Sequence, residues 1–190
     1  MLAALTGTPG TGKTSVAEEL RRRGYEVLDL SAHIRSSGLL GELDESRDTY
    51  EVDLDLLNDS LEPYRKKSGT VIMEGHLSHF MDCGMIIVLR CAPGVLAERL
   101  ERRGYSRAKV RENTESEILD VILCESAETD IPVFEIDCTS VTPAGAADAA
   151  EDILSGNTGK YLPGSVNWSS EMEEWFLTDR ERERILRWRP

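Results

Sequence analysis

The sequence predicts an α/β fold, a five-stranded parallel sheet between two layers of helices, followed by a helical tail. Three observations carry that reading. Short apolar runs alternate with segments of helical spacing along most of the chain. The run "MIIVLR" is apolar almost throughout, as strands covered on both faces are. A glycine-rich loop, "GTPGTGKT", stands between the first run and the first helical segment.

In order, "LAALT" is the first strand, and the loop at positions 7 to 14 has the spacing G-x-x-x-x-G-K-T. Such a loop wraps phosphates in backbone N–H groups, so side chains must be absent where the backbone closes in, and Gly7, Gly10 and Gly12 meet that need. The helix opening at Lys13 aims the positive end of its dipole at the phosphates. Lys13 then reaches the β and γ phosphates, and the Thr14 hydroxyl holds Mg²⁺. The alternative is a glycine turn with no ligand; a strand before and a helix after favour the phosphate loop.

"KTSVAEELRRRG" places Val16, Ala17 and Leu20 on one helix face and stops at Gly24. "YEVLDL" is the second strand and "SAHIRSSG" a short helix with Ser31 as its cap. "LLGELDESRDTYEVDL" is acidic and without clear periodicity, which predicts a mobile insertion. "DLLNDSLEPYRKKSG" is helical, interrupted or bent at Pro63. "TVIME" and "MIIVLR" are the third and fourth strands, and "GVLAERLERRG" is a helix closed by Gly104. "YSRAKVREN" is short and charged, and "ESEILDVILCESAE" is one long helix with Ile118, Val121 and Ile122 on its apolar face. "VFEID" is the fifth strand. "TPAGAADAAEDILSG" is the last helix of the domain, with Thr142 as cap and Pro143 at its first position.

From Gly156 the composition changes. "GNTGKYLPGS" is a linker, and "SSEMEEWFLTDRERERILRW" a helix capped by Ser169 or Ser170, with Met172, Trp175, Phe176 and Asp179 at helical spacing. Trp168, Trp175 and Trp188 all lie in this tail. Its Trp175 face is expected on the core of the same chain; the other reading is a docking arm for a second subunit or partner.

The third strand runs into "VIMEGHLSH", at the carboxyl edge where the loop's ligand would lie. Glu74 is placed to hold Mg²⁺ through water or to orient the attacking group, and His76 to position water or acceptor. His79 is read as a surface or helix-start residue, because the H-x-x-H pair has no third ligand at a spacing that zinc requires. Arg35, Arg90, the pair Arg99 and Arg103, and the pair Arg107 and Arg111 offer donors for a transferred phosphoryl group. Arg35 and Arg90 are assigned to the substrate, Arg35 because it follows the second strand, where a phosphorylated acceptor would lie. Surface pairing with glutamates is the competing use of such residues.

A chain of 190 residues, 40% hydrophobic, suits one domain with an appendage. Its net charge of -13 disfavours direct contact with nucleic acid or anionic membranes, and no apolar stretch is long enough to cross a bilayer. Cys83, Cys91, Cys124 and Cys138 form no C-x-x-C pair and read as reduced core thiols, which with the absent signal peptide predicts a cytoplasmic protein.

"GTPGTGKT", the "EGH" after the third strand and "VLAERLERRGYSRAKVRENTESEI" together resemble the adenylate kinase 6 subfamily, small P-loop proteins, over about residues 1 to 155. Most members carry Asp-x-His where this chain has Glu74-Gly75-His76. The resemblance implies a P-loop NTPase fold, a segment for the nucleoside monophosphate at about 30 to 52, and a short lid at about 102 to 112, with residues 156 to 190 outside the pattern. It implies a nucleoside monophosphate kinase that moves a phosphoryl group between ATP and AMP, also hydrolyses ATP, and acts in late maturation of the small ribosomal subunit through a ribosomal protein of the uS11 type. Nucleic acid would then be met only indirectly, in the pre-ribosome. Gly10, Gly12, Lys13, Thr14 and Ser15 would bind the ATP phosphates, Arg103 would be the lid arginine on ATP, and Asp137 to Ser140 would lie near the adenine. The sequence leaves two other readings: an assembly ATPase without transfer, and a P-loop kinase of a sugar, shikimate or a coenzyme precursor.

Overall fold

The computed structural model describes residues 1–44 and 49–176. The main sheet is built from β1 (Leu2–Thr6), β2 (Glu26–Asp29), β5 (Val71–Glu74), β6 (Met85–Arg90) and β7 (Val133–Asp137), in the order β2-β5-β1-β6-β7. Every pairing in it is parallel. β1 is therefore central, and both neighbours end beside the loop that leaves it.

Alternation along the strands sends side chains to two helical layers. On one side Leu5, Ile72, Ile87, Phe134 and Ile136 meet α1 (Lys13–Arg22) and α8 (Pro143–Leu154). Ala146, Ala147 and Ala150 have no bulk to hold α8 away from that layer, and all are buried. On the other side Leu2, Ala4, Met73, Ile86 and Val88 pack on α2 (Leu30–Ser36), α3 (Leu54–Ser60) and α7 (Val121–Ala127). A third cluster joins Leu96 and Leu100 of α5 (Pro93–Arg102) to Val110 of α6 (Arg107–Ile118). The chain thus has the five-stranded α/β architecture that its sequence predicts.

Local expectations fare unevenly. Thr142 caps α8, its hydroxyl accepting from the Gly145 amide at 3.1 Å. The cap of α2 is Asp29 rather than Ser31; its carboxylate accepts from the Ala32 amide, and Leu30 is already helical. The acidic insertion holds two antiparallel strands, β3 (Leu40–Asp44) and β4 (Thr49–Val52), with a register shift between Leu40 and Leu43 that hides any period of two. Pro63 sits in the first turn of α4 (Glu62–Arg65), where its missing N–H costs nothing. The "YSRAKVREN" stretch belongs to a helix, since α6 begins at Arg107 behind a Ser106 cap. The long helix expected after it is broken instead: Asp120 has φ 54, and its carboxylate bonds the buried guanidinium of Arg90. Cys91 and Cys138 are buried, Cys83 is half-buried and Cys124 is exposed, so only part of the cysteine set is core.

The tail is attached to the domain by more than its helix. The Glu135 amide donates to Tyr161 O at 2.8 Å, so the linker runs along the outer edge of β7. Tyr161 and Trp168 are buried. α9 (Ser169–Phe176) follows, with Asn167 Oδ1 accepting from the Ser169 amide at 2.7 Å in place of a serine cap. Trp168, not Trp175, is the anchor; Trp175 is half-buried and Phe176 exposed. Asp179, Trp188 and the expected continuation of the helix lie outside the described residues.

Candidate active site

The loop leaving β1 turns back on itself at glycines that no other residue could replace cheaply. Gly7 has φ +139, and a Cβ there would stand 2.4 Å from Leu89 O. Gly12 has φ +112 and caps α1 in a left-handed conformation, with no side chain blocking the first turn. No acidic residue occupies that turn, so its N–H groups and positive dipole end face the cleft undiminished.

Lys13 lies at the junction of that turn and the loop. Its ammonium donates to Gly7 O at 2.6 Å and Thr8 O at 3.1 Å. Burial pulls its pKa down to about 8, and Arg103 pulls the same way; the carboxylates of Glu74 and Glu117 oppose them. Thr14 Oγ1 is 3.5 Å from Glu74 Oε1, too long for a strong hydrogen bond but close enough for both to serve one small cation. Glu74 is buried at the end of β5, and that burial raises its pKa, with Lys13 the main opposing influence. A hydroxyl and a carboxylate are hard oxygen donors of the kind Mg²⁺ takes together with phosphate and water, so the residues present fit that ion.

Two cavities open on this point. One, of about 320 Å³, runs between the loop and α8 and is lined by Ser15, Arg99, Cys138, Val141 and Ala146 among others. The other, of about 840 Å³, lies on the far side and is lined by Lys13, Thr14, Ser31, Glu74, His76 and Lys109 among others. Gly10, Gly12 and Arg103 line both. The site is therefore two chambers meeting at a phosphate loop, with one arginine at the seam.

Gly10, Gly12, Lys13, Thr14, Ser15, Glu74, His76 and Arg103 are brought together around these chambers. His76 is exposed to the larger one; desolvation by the cleft walls, then Lys13, His79 and Lys109, hold its pKa below the usual histidine range. Asp137 and Ser140 are exposed and flank the smaller chamber, which Cys138, Val141 and Thr142 line instead. Asp137 shapes that loop, accepting from the Thr139 amide at 2.8 Å. Arg99 braces it by donating to Cys138 O at 2.9 Å and Thr139 O at 3.1 Å. Arg35 is exposed on α2 and lines neither chamber. Arg111 pairs with Glu115 on the surface, the competing use named for it.

Arg90, assigned to the substrate from sequence, is a correction. It is 1% exposed and its guanidinium is committed to carboxylates: Nε donates to Glu117 at 2.8 Å, one terminal nitrogen to Glu135 at 2.9 Å and the other to Asp120. A strand-end arginine this deeply buried, with its charge met by three carboxylates, is turned away from any ligand. For His79 the helix-start reading holds and the surface reading is corrected. It is buried in the 3₁₀ turn Ser78–Phe80, between Thr6 Oγ1 at 3.0 Å and Glu125 Oε2 at 3.1 Å. Lys109, Asn113 and Ser116, which the sequence reading passed over, share one face of α6 on the larger chamber. Their three- and four-residue spacing was the available signal.

A family profile described as "AAA domain" matches residues 4–120. The protein of Archaeoglobus fulgidus named "Putative adenylate kinase" is 42% identical, over 92% of this chain and 95% of its own length. The protein of that name from Methanocaldococcus jannaschii is 40% identical, over 94% of this chain and 99% of its own. Those shares exceed what residues 1 to 155 make up, so the likeness extends into the tail. Among solved structures, shikimate kinase from Acinetobacter baumannii in complex with shikimate has a TM-score of 0.59 at 17% identity, covering 82% of this chain and 93% of that one. Deoxyadenosine kinase from M. mycoides has a TM-score of 0.51 at 14% identity, covering 83% and 100%. At such identities these two establish the fold alone.

Proposed function

The chain belongs to the adenylate kinase family of its archaeal relatives, and from that premise we propose that it transfers the γ-phosphoryl group of ATP to a nucleoside monophosphate, AMP first, to give two ADP. The observation that carries this is the pair of chambers sharing Gly10, Gly12 and Arg103, with Lys13 at their junction. A hydrolase needs room for one nucleotide and a water; a second chamber of about 840 Å³ has room for a second nucleotide.

ATP enters with its base in the smaller chamber, against Val141 and the Asp137–Ser140 loop, and its phosphates over Gly10, Gly12, Thr14 and Ser15. Lys13 turns from the loop carbonyls to the β and γ phosphates. Thr14 and Glu74 would hold Mg²⁺, which would supply neutralisation of phosphate charge. Arg103, at the seam, meets charge spreading over the transferred group. On the acceptor side Arg35, exposed on α2 and outside both chambers, is retained as the hydrogen-bond donor proposed for the acceptor's phosphate. Transfer then needs positioning more than covalent help from the protein.

ATP hydrolysis is the second activity we propose at this site. A His76 ring kept neutral by its surroundings can accept a hydrogen bond from a water beside the γ phosphate. His76→Ala should lower hydrolysis more than transfer to AMP; equal losses of both rates in a folded variant would count against that role. A part in small-subunit maturation through a uS11-type protein rests on the family resemblance, supported by a net charge of -13 that suits a basic partner. Binding of the purified chain to that ribosomal protein, absent with an acidic control, is its test.

The test of transfer is to incubate the chain with ATP and Mg²⁺, with and without AMP, and to separate the nucleotides. ADP that requires AMP supports the kinase. ADP at the same rate without AMP would leave hydrolysis alone.

A further inference from the structure

Thr8 is a hub within the phosphate loop. Its carbonyl accepts from the Thr11 amide at 3.2 Å, the Thr11 hydroxyl at 2.9 Å and the Lys13 ammonium at 3.1 Å. Whatever sets Thr8 therefore sets both the turn and the resting place of the lysine. Its own side chain is fully committed in one direction: the hydroxyl donates to Glu117 Oε2 at 2.6 Å, and Thr8 is 2% exposed. Glu117 belongs to α6, 109 residues away, and is itself 2% exposed.

A buried carboxylate survives only when its lone pairs are met. Those of Glu117 are met by four donors from three parts of the chain: the phosphate loop, the end of β6 and the tail. Oε1 accepts from Arg90 Nε at 2.8 Å, from the Cys91 amide at 3.1 Å and from the indole N–H of Trp168 at 3.1 Å. The Trp168 ring also lies 5.9 Å from the Arg90 guanidinium carbon, within cation–π reach. Glu135, the other fully buried partner of Arg90, accepts from Ser165 Oγ at 3.2 Å and the Val166 amide at 2.8 Å. The tail thus closes the cluster from outside, and the cluster ends on the phosphate loop. Burial in a low-dielectric core makes each of these bonds stiffer than its surface counterpart.

α6 is also the element that carries Lys109 and Asn113 on the acceptor chamber, and its first turns fall within the segment expected as the lid. A single carboxylate therefore ties the loop over the ATP phosphates to the helix beside the acceptor. We infer that Glu117 is a positioning residue for phosphoryl transfer: through Thr8 it holds the phosphate loop and Lys13 in register, and Trp168 of the C-terminal segment completes it. The C-terminal segment as far as Trp168 is on this account a working part of the ATP site.

This inference rests on the ATP-binding reading of the loop, so the experiment separates the two. Thr8→Val keeps the size and β-branch of the residue and deletes the hydroxyl; Thr8→Ser keeps the hydroxyl; Trp168→Phe keeps the ring and deletes the N–H. Each is measured for ATP affinity by titration calorimetry, for kcat, for the KM of ATP and of AMP, and for melting temperature. Loss of a hydrogen bond to a charged group corresponds to about tenfold or more, so Thr8→Val should weaken kcat/KM for ATP by about that factor while the KM for AMP stays within twofold. Thr8→Ser should restore the parent values, and Trp168→Phe should show a smaller loss of the same pattern. Glu117→Gln, combined with Thr8→Val, should add little to the Thr8→Val loss in kcat/KM, because both remove one link. Thr8→Val with parent-like ATP constants, or with equal losses for ATP and AMP that follow melting temperature, overturns the positioning role. A parent chain that binds no ATP overturns the functional reading itself.

Discussion

Lys13 carries its charge where burial opposes it, and that conflict is useful. An ammonium drawn down toward a pKa of about 8 is poorly solvated and binds an incoming phosphate strongly. Lys13→Ala should cost about 3 kcal/mol or more of transition-state stabilisation. Rates within twofold of the parent in a folded variant would contradict the assignment. The sign with pH follows from the same shift. The ammonium is present below about pH 8 and lost above it, so ATP affinity of the free protein should hold through neutrality and fall as pH rises past 8. Affinity flat to pH 10 would show that Lys13 does not hold the phosphates. Arg90 is the contrary case. Its three acidic partners make it structural, so Arg90→Met should destabilise the fold by about 3–5 kcal/mol by leaving Glu117 and Glu135 charged and unpaired. Chemical denaturation measures that; a folded, stable variant with only a raised KM for AMP would return Arg90 to the acceptor. From sequence alone, an arginine ending an apolar strand next to a phosphate loop looks the same in either role. What decides it is Glu117, Asp120 and Glu135, which no spacing rule connects to it.

Elements were legible where one local rule governs them. The phosphate loop, α1, the parallel strands and the Thr142–Pro143 start of α8 each follow from spacing or capping chemistry within a few residues. Thr142→Ala should accordingly cost about 1 kcal/mol, read as a shift in the denaturation midpoint without change in its slope. No loss at all would mean that Pro143 alone starts the helix. Elements were misread where distant contacts decide them. The break between α6 and α7 falls within an unbroken helical pattern because Asp120 leaves the helix to bond Arg90. The charged "YSRAKVREN" stretch is helical because Val110 packs on Leu96 and Leu100, not because of its own periodicity. His79, read as a surface or helix-start residue once zinc was set aside, is buried because Thr6 and Glu125, both far off in sequence, hold its ring.

At the scale of the whole molecule, the domain and the tail are less separable than composition suggests. A linker of small and polar residues reads as loose, yet its Tyr161 carbonyl accepts from the Glu135 amide at the edge of β7, and it delivers Trp168 to a buried carboxylate. Truncation after Gly156 removes Tyr161 and Trp168 and strips a cover from Glu117 and Glu135. The truncated chain should melt well below the parent and should lose ATP affinity while remaining a monomer. Unchanged stability with weakened self-association would instead make the tail a docking arm. In the proposed function the phosphoryl group passes between two bound nucleotides across Lys13 and Arg103. Following radiolabel from the γ phosphate of ATP in the presence of AMP and Mg²⁺ tests it most directly. The label should appear in ADP, at a rate that depends on AMP and collapses in Lys13→Ala; label found only in inorganic phosphate, whatever the AMP concentration, would contradict it.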